Sequence, residues 1–382
     1  MLGYARVVPR RVLALALVLA ACGPDGGGGS GLSGGPLGTS SSTTSAPATT
    51  ADADASASAT GTSGGRPGSS SGGVDGSTTA TSDTAPLLDL GDEPDPHPGT
   101  PAWCSAKKVD LLFVIPRDEL MSAVQSTLIG SLPGIFDWIE DLFADFDFQI
   151  MVVDADDTWG ASKCSTAAAC PGDFGCAAIS EPLYPCWAPK AGEVTYCDHA
   201  LGGGVVFPAA KGASNKRCPV PPGRRYLRRG DPGLAEAFEC VGHVGYGAGG
   251  SAVGKLMMDI DAPELDGAFG CNAGFLRDDA LLFVTLISAI GGDGSSPYNP
   301  LVWAQSLQAT KGLDPEAIFM LGFLPDAEPG LCPSAEGGGQ FEEFIGYFEN
   351  SLVRSVCSPS YAPGFAEAVK KALALCEPVL PE

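Results

Sequence analysis

Thirteen cysteines and three histidines are the residues in this 382-residue chain best suited to chemistry. The histidines, His97, His199 and His243, stand far apart in sequence. No G-x-S-x-G nucleophile elbow occurs in the part of the chain able to fold. A Ser-His-Asp set would have to come from distant positions, such as His243, Ser251 and Asp279. A lone histidine is more often a structural residue than a base, so the expectation is a protein that is not an enzyme. Gly249-Gly-Ser-Ala-Val-Gly-Lys255-Leu256 approaches a phosphate-binding loop. Leu256, however, stands where such a loop needs a hydroxyl for Mg²⁺, and no apolar strand leads into it. The stretch reads as a glycine-rich loop opening an amphipathic helix.

The cysteine count is odd. Setting Cys22 aside leaves twelve: Cys104, Cys164, Cys170, Cys176, Cys186, Cys197, Cys218, Cys240, Cys271, Cys332, Cys357 and Cys376. An even set in an exported chain reads as disulfides. Zinc sites use close pairs such as C-x₂-C, and none is present. The pairing is not readable from spacing; Cys104 with Cys376, closing the folded part, and Cys332 with Cys357 are the guesses.

Cys22 follows a segment built for export. Arg6, Arg10 and Arg11 form a positive start, and Val12 to Ala21 is an apolar run shorter than the roughly 20 residues needed to span a bilayer. Leu19-Ala20-Ala21-Cys22 resembles the lipobox of bacterial lipoproteins. That resemblance implies a signal peptide over 1–21, cleavage before Cys22 and palmitate-type acyl chains on Cys22. One chain binds a membrane weakly and two or more hold stably. An ordinary signal peptide cut after Ala21, with Cys22 a free thiol, is the competing reading. Gly23 lacks the Asp that retains some lipoproteins at the inner membrane, which points to the outer membrane without choosing its periplasmic or surface face.

The formal net charge is −23, and loss of the three arginines of the signal takes it to −26. Such a surface repels phosphate backbones, so nucleic acid is excluded as a partner. Residues 22–100 are Gly, Ser, Thr, Ala and Pro with scattered Asp and no aromatic residue, a composition for a disordered tether spanning about 50 Å r.m.s.. Residues 101–382 hold all five tryptophans and every other cysteine, and are long enough for a sizeable core.

Within that part, strand-like and helix-like stretches alternate. Strands are expected over Val109–Ile115, Phe146–Val153, Ala280–Ser288 and Ile318–Phe323. Helices are expected over Asp118–Ala144 (interrupted at Pro133), Leu234–Val241, Ser251–Ile260, Pro300–Thr310, Gln340–Arg354 and Gly364–Leu375. Between them, about 155–231 reads as an irregular, disulfide-rich insertion. Near-continuously apolar strands alternating with helices predict an α/β fold: a mostly parallel, doubly wound, Rossmann-like sheet covered on both faces. Asp154-Ala-Asp-Asp157, just after a strand, reads as a solvated acidic loop. The basic island Arg224-Arg225-Tyr226-Leu227-Arg228-Arg229 is read as pairing with nearby acids, with an anionic partner as the alternative.

Cys104 with Val109-Asp-Leu-Leu-Phe-Val-Ile115 resembles the opening of von Willebrand factor A-type domains. Gly245-Tyr-Gly-Ala-Gly-Gly-Ser251 and Gly274-Phe-Leu-Arg-Asp-Asp-Ala-Leu-Leu-Phe-Val284 resemble later parts. The resemblance covers most of Cys104 to Cys376, apart from the insertion. It implies a metal-ion-dependent adhesion site, and that site is degenerate here. The family ends its first strand with Asp-x-Ser-x-Ser, where this chain has Pro116-Arg117-Asp118-Glu119-Leu120. Ser251 matches the third-loop hydroxyl. The fourth-loop Asp falls near Ala289, with Asp293 four residues on. Asp118, Ser251 and Asp293 are therefore weak candidates for Mg²⁺ or Ca²⁺. Asp118 and Ser251 have simpler roles as helix caps, so neither metal nor cofactor is expected. The resulting expectation is a cell-envelope lipoprotein displaying a binding or adhesion module, its partners a membrane through the anchor and a protein or glycan at the cell surface. A purely structural lipoprotein and an extracellular hydrolase are the alternatives.

Overall fold

A computed structural model describes residues 100–156, 159, 193–247, 252–292, 298–326 and 339–377. All fall in the unit Ala85–Glu382. Its centre is a six-stranded sheet in the order β3-β2-β1-β4-β5-β6. The strands are β1 Lys108–Val114, β2 Asp147–Val153, β3 Leu227–Arg228, β4 Leu281–Ile287, β5 Ile318–Leu324 and β6 Ser351–Ser355. All pairings are parallel except β2 with β3.

Side chains alternate across each strand and so load two cores. One face carries Val109, Leu111 and Phe113 of β1, with Leu281 and Phe283 of β4. Against it lie α2 (Gln125–Leu142), α4 (Leu234–Gly242) and α8 (Ala362–Ala374), through Leu128, Ile135, Phe238 and Phe365. The other face carries Leu112, Val114, Leu282 and Val284. Here pack α5 (Val253–Asp259), α6 (Pro300–Ala309) and α7 (Gly339–Gly346), through Leu256, Trp303 and Phe344. Two short helices complete the set, α1 (Ala102–Ala106) and α3 (Tyr196–His199). The β1–α2–β2 connection covers one face and β4–α6–β5 the other, so the winding reverses between β1 and β4. Doubly wound sheets bind ligands at the carboxyl ends of the strands flanking such a switch point.

The structure departs from the sequence-based expectations in four places. Pro133 sits inside α2 without ending it. It is on the exposed side, where the carbonyl it leaves without a donor can be hydrated. The helix expected over Gln340–Arg354 stops at Gly346, and its second half is the parallel edge strand β6. Phe341, Phe344, Ile345, Phe348 and Leu352 keep helical spacing across the break, which is why the pattern misled; hydrogen bonding to β5 outweighs it. The stretch over 155–231 is more than an inserted loop, because it supplies β3, and Val205 donates its N–H to the Val152 carbonyl at 2.7 Å. The helix expected from Asp118 begins as a 3₁₀ turn, Glu119–Ala123, and becomes α-helical at Gln125.

Three disulfides are formed among the described residues: Cys104–Cys376, Cys197–Cys271 and Cys218–Cys240. The first ties α1 to the end of α8 and so closes the domain. Cys357 is also disulfide-bonded. Cys164, Cys170, Cys176, Cys186 and Cys332 lie outside the described residues, as does Cys22.

Candidate functional site

The register places Val114 of β1 opposite both Val153 of β2 and Leu286 of β4, so the three strands end level. The chain leaving β1 runs Ile115-Pro116-Arg117-Asp118, beside Asp154-Ala155-Asp156 leaving β2. Arg117 is buried and turns its guanidinium toward this second loop. It pairs with Asp156, approaches Asp154 Oδ2 at 3.4 Å, and donates from Nη1 to the Ala209 carbonyl at 3.0 Å. Ala155 between the two acids takes a left-handed conformation, φ +52°, and is itself buried. A non-glycine residue held there is strained, and the surrounding packing must enforce it. Asp156 N–H donates to Asp154 Oδ1 at 3.3 Å. Asp154 and Asp156 are therefore partly buried and ion-paired with Arg117, not the solvated strand end that composition suggests, while Asp157 lies outside the described residues. Burial pushes the Asp154 carboxyl above its ordinary range, while Arg117 and Arg225 pull it back.

Asp118 is the N-cap of the 3₁₀ turn, its Oδ1 accepting from the N–H groups of Leu120 at 2.8 Å and Met121 at 3.3 Å. Its Oδ2 is buried without a hydrogen-bond partner, and burial raises its pKa. Across the switch point, Ala289 donates its N–H to the buried Met121 Sδ at 3.2 Å. Ser288 Oγ turns back on Ile290, donating to its carbonyl at 3.0 Å. The buried Met121 thioether thus packs against the backbone leaving β4. A divalent cation does not fit the groups described at this edge. Leu120 and Ala289 offer no side-chain oxygen, Arg117 places a fixed positive charge beside them, and one Asp118 oxygen is committed to the cap. Ser251 and Asp293 lie outside the described residues. Among the described residues, no group of three or more His, Cys, Asp or Glu side chains is placed to share a metal.

The remaining candidates are scattered. His243 sits half-buried beside Gly212, its pKa lowered by burial. Asp279 lies at the opposite, amino edge of the sheet, bonded to Lys108 at 2.5 Å at the start of β1. The two are not brought together, and Ser251 and His97 lie outside the described residues. His199 ends α3. In the near-match to a phosphate loop, Lys255 pairs with Asp259 one turn on, at 2.6 Å, and Leu256 is core. Gly254 is there for packing, since a Cβ would stand 2.3 Å from Trp303.

Of the basic island, two arginines pair with acids as expected and two do not. Arg224 pairs with Asp231 and Arg225 with Asp198 at 2.5 Å. Arg229 donates to the Phe146 carbonyl at 2.8 Å, and Arg228 lies over the Tyr226 ring. Two polar clusters escaped the sequence reading. One is Arg117 with Asp154 and Asp156. The other, at the amino edge, joins buried Asp110 to Arg277, with Lys311 Nζ donating to the Ala280 carbonyl at 2.8 Å. The available signal was Asp110 itself: a carboxylate inside an apolar strand requires a cationic partner.

Comparison with models of protein families and with curated proteins finds no match for this chain.

Proposed function

We propose that this chain is an exported lipoprotein, held at the cell envelope through acyl chains on Cys22, whose α/β head is a non-enzymatic binding module of the von Willebrand A type. The single observation that carries the non-catalytic, metal-free part is the Arg117 guanidinium, buried against Asp154 and Asp156 at the carboxyl edge. Its charge stands beside the place where the resembled family puts a cation. A sheet ordered 3-2-1-4-5-6 with one short antiparallel strand supports the doubly wound class to which such heads belong. The Leu19-Ala20-Ala21-Cys22 box and the tether over 22–100 support display away from a membrane.

Metabolic labelling with an alkyne fatty acid tests the anchor. Label on the wild-type chain, absent from Cys22→Ala, is the expected result, and label persisting in Cys22→Ala overturns it. A glycan and matrix-protein array, run with Mg²⁺, with Ca²⁺ and with EDTA, tests the head. Binding unchanged by EDTA is expected; binding abolished by EDTA overturns the metal-free reading. One observation favours the rival, a structural head without ligand: the buried Met121 thioether takes the Ala289 N–H at the switch point. No hit under any condition would favour that rival. Labelling by a serine-reactive phosphonate that is lost in Ser251→Ala would restore the hydrolase alternative.

A further inference from the structure

Away from the switch point, a cavity of about 330 Å³ lies where two disulfides approach. Cys197 and Cys271 of one bridge and Cys218 of the other line it, together with Arg217, Arg224 and Arg225. We propose that this cavity binds an oxyanion, the carboxylate or sulfate carried by an acidic sugar.

The charge distribution is the first argument. The chain carries −23 overall, yet Lys216 to Arg229 holds six of its 22 basic residues and no acidic one. A local reversal of sign on this scale marks a surface suited to anions. The three arginines that line the cavity are not equivalent. Arg225 is fixed, donating from Nε to the Gly204 carbonyl at 2.6 Å and from Nη2 to Asp198 at 2.5 Å. Arg224 is fixed similarly, to the Tyr226 carbonyl at 3.1 Å and to Asp231. Arg217 differs: its guanidinium donates to the Glu193 carbonyl and lies 5.7 Å over the Phe207 ring, and it has no carboxylate partner among the described residues. Three guanidinium charges thus face two carboxylates, and Arg217 carries the excess. None of the three Nη1 groups donates a hydrogen bond to a described residue, so each guanidinium keeps one terminal NH2 group as a charged donor for an anion.

The walls supply the second argument. Val220, Pro221 and Pro222 add an apolar part to the lining beside the arginines. An apolar face with a few convergent donors is the usual composition of a small-ligand site, and the volume falls at the small end of the range of about 300–1,000 Å³ for such sites. A single anionic sugar has both parts, a charged group and an apolar ring face. A long polyanion would also meet the net negative charge of the rest of the chain. The two disulfides in the lining restrain its walls, which lowers the ordering cost of binding. The inference goes beyond the envelope reading and does not depend on Cys22.

Isothermal titration of the oxidised full chain with a glucuronate-containing disaccharide, its neutral counterpart and sodium sulfate tests this. Saturable binding of the uronate is expected, weakened by salt and at least tenfold weaker in Arg217→Gln, with no heat from the neutral sugar. Arg217 is exposed, so circular dichroism should show that variant folded, and Arg217→Lys should restore part of the affinity as a point charge. Sulfate binding as tightly as the uronate would support the oxyanion site with a free anion as its source. No saturable binding of either, or unchanged affinity in Arg217→Gln, would overturn the proposal.

Discussion

Arg277 holds Asp110 from two directions, its backbone N–H 2.9 Å from Oδ2 and its Nε 2.8 Å from Oδ1. The same guanidinium reaches Asp147 at 2.7 Å and the Val109 carbonyl at 3.0 Å, so it joins the starts of β1 and β2 to the segment entering β4. Asp110 is fully buried. Removing its partner leaves a charge in a dry site, at a cost of about 3–5 kcal/mol. Urea denaturation should show a loss of that size in Arg277→Leu. Adding Asp110→Asn should recover a large part, and an unrecovered double variant would mean that the Asp147 and carbonyl contacts dominate.

The same carboxyl gives a pH dependence. Burial pushes Asp110 up to about 6, against the opposing pull of Arg277 and Lys311. Its unfolded value is about 3.9. The native state therefore holds this proton more tightly, and the stability it contributes is full below about pH 4 and lost as pH rises to about 6. The difference in unfolding free energy between wild type and Asp110→Asn should fall across that window. Carboxyl-carbon NMR should place the Asp110 midpoint near 6; a midpoint below 4 would sink the prediction. Asp198, lowered by Arg225, works in the opposite sense, its contribution present above about pH 4 and lost as pH falls through its depressed value.

At the carboxyl edge, Arg117→Met should destabilise the head by about 3–5 kcal/mol, because Asp154 and Asp156 lose their buried cation. The triple variant with Asp154→Asn and Asp156→Asn should regain part of the loss. A single variant with unchanged melting temperature would show that the cluster is solvated and the charges independent.

Cys104–Cys376 closes the longest loop of the three described bridges, with a sequence separation of 272. Loop-closure entropy puts its contribution near the upper end for a disulfide, about 5 kcal/mol, less whatever the nested bridges already restrict in the unfolded chain. Cys104→Ser with Cys376→Ser should lower stability more than the matched pair of substitutions at Cys218 and Cys240, whose separation is 22. Equal losses in guanidinium denaturation would rule out the entropic account.

Gly254→Ala sets two effects against each other. Alanine favours a helix over glycine by about 1 kcal/mol. The added Cβ, however, would stand 2.3 Å from Trp303, which is fully buried between α5 and α7. Overpacking costs about 1–3 kcal/mol, so net destabilisation is expected, accompanied by a change in Trp303 fluorescence. A stabilised variant would show that α5 and α6 can separate without cost.

The sheet was legible because its strands are apolar on both sides. Leu281 to Ile287 has one polar residue, Thr285, and a continuous apolar run of that length between turn signals suits a strand covered by two layers. β6 was not legible, because Leu352 and Val353 follow α7 at a spacing a helix would also produce, and only pairing with Leu321 and Gly322 distinguishes the two. β3 was hidden for a different reason: two residues, Leu227 and Arg228, carry no periodicity. The acidic loop after β2 was misread because composition records charge but not the partner. Arg117 lies some forty positions from Asp156 in sequence and meets it only because β1 and β2 end level.

The sequence by itself determined the α/β class, the long polar segment ahead of the folded part and the pool of cysteines available for bridging. Each depends on local composition or short-range period, which the chain carries whatever its tertiary arrangement. The tertiary structure decided which charges are satisfied. Arg117 becomes a buried counter-charge, Asp118 a cap, and His243 and Asp279 separate to opposite edges of the sheet. Those outcomes depend on strand order and register, which bring residues distant in sequence within hydrogen-bonding reach or keep them apart.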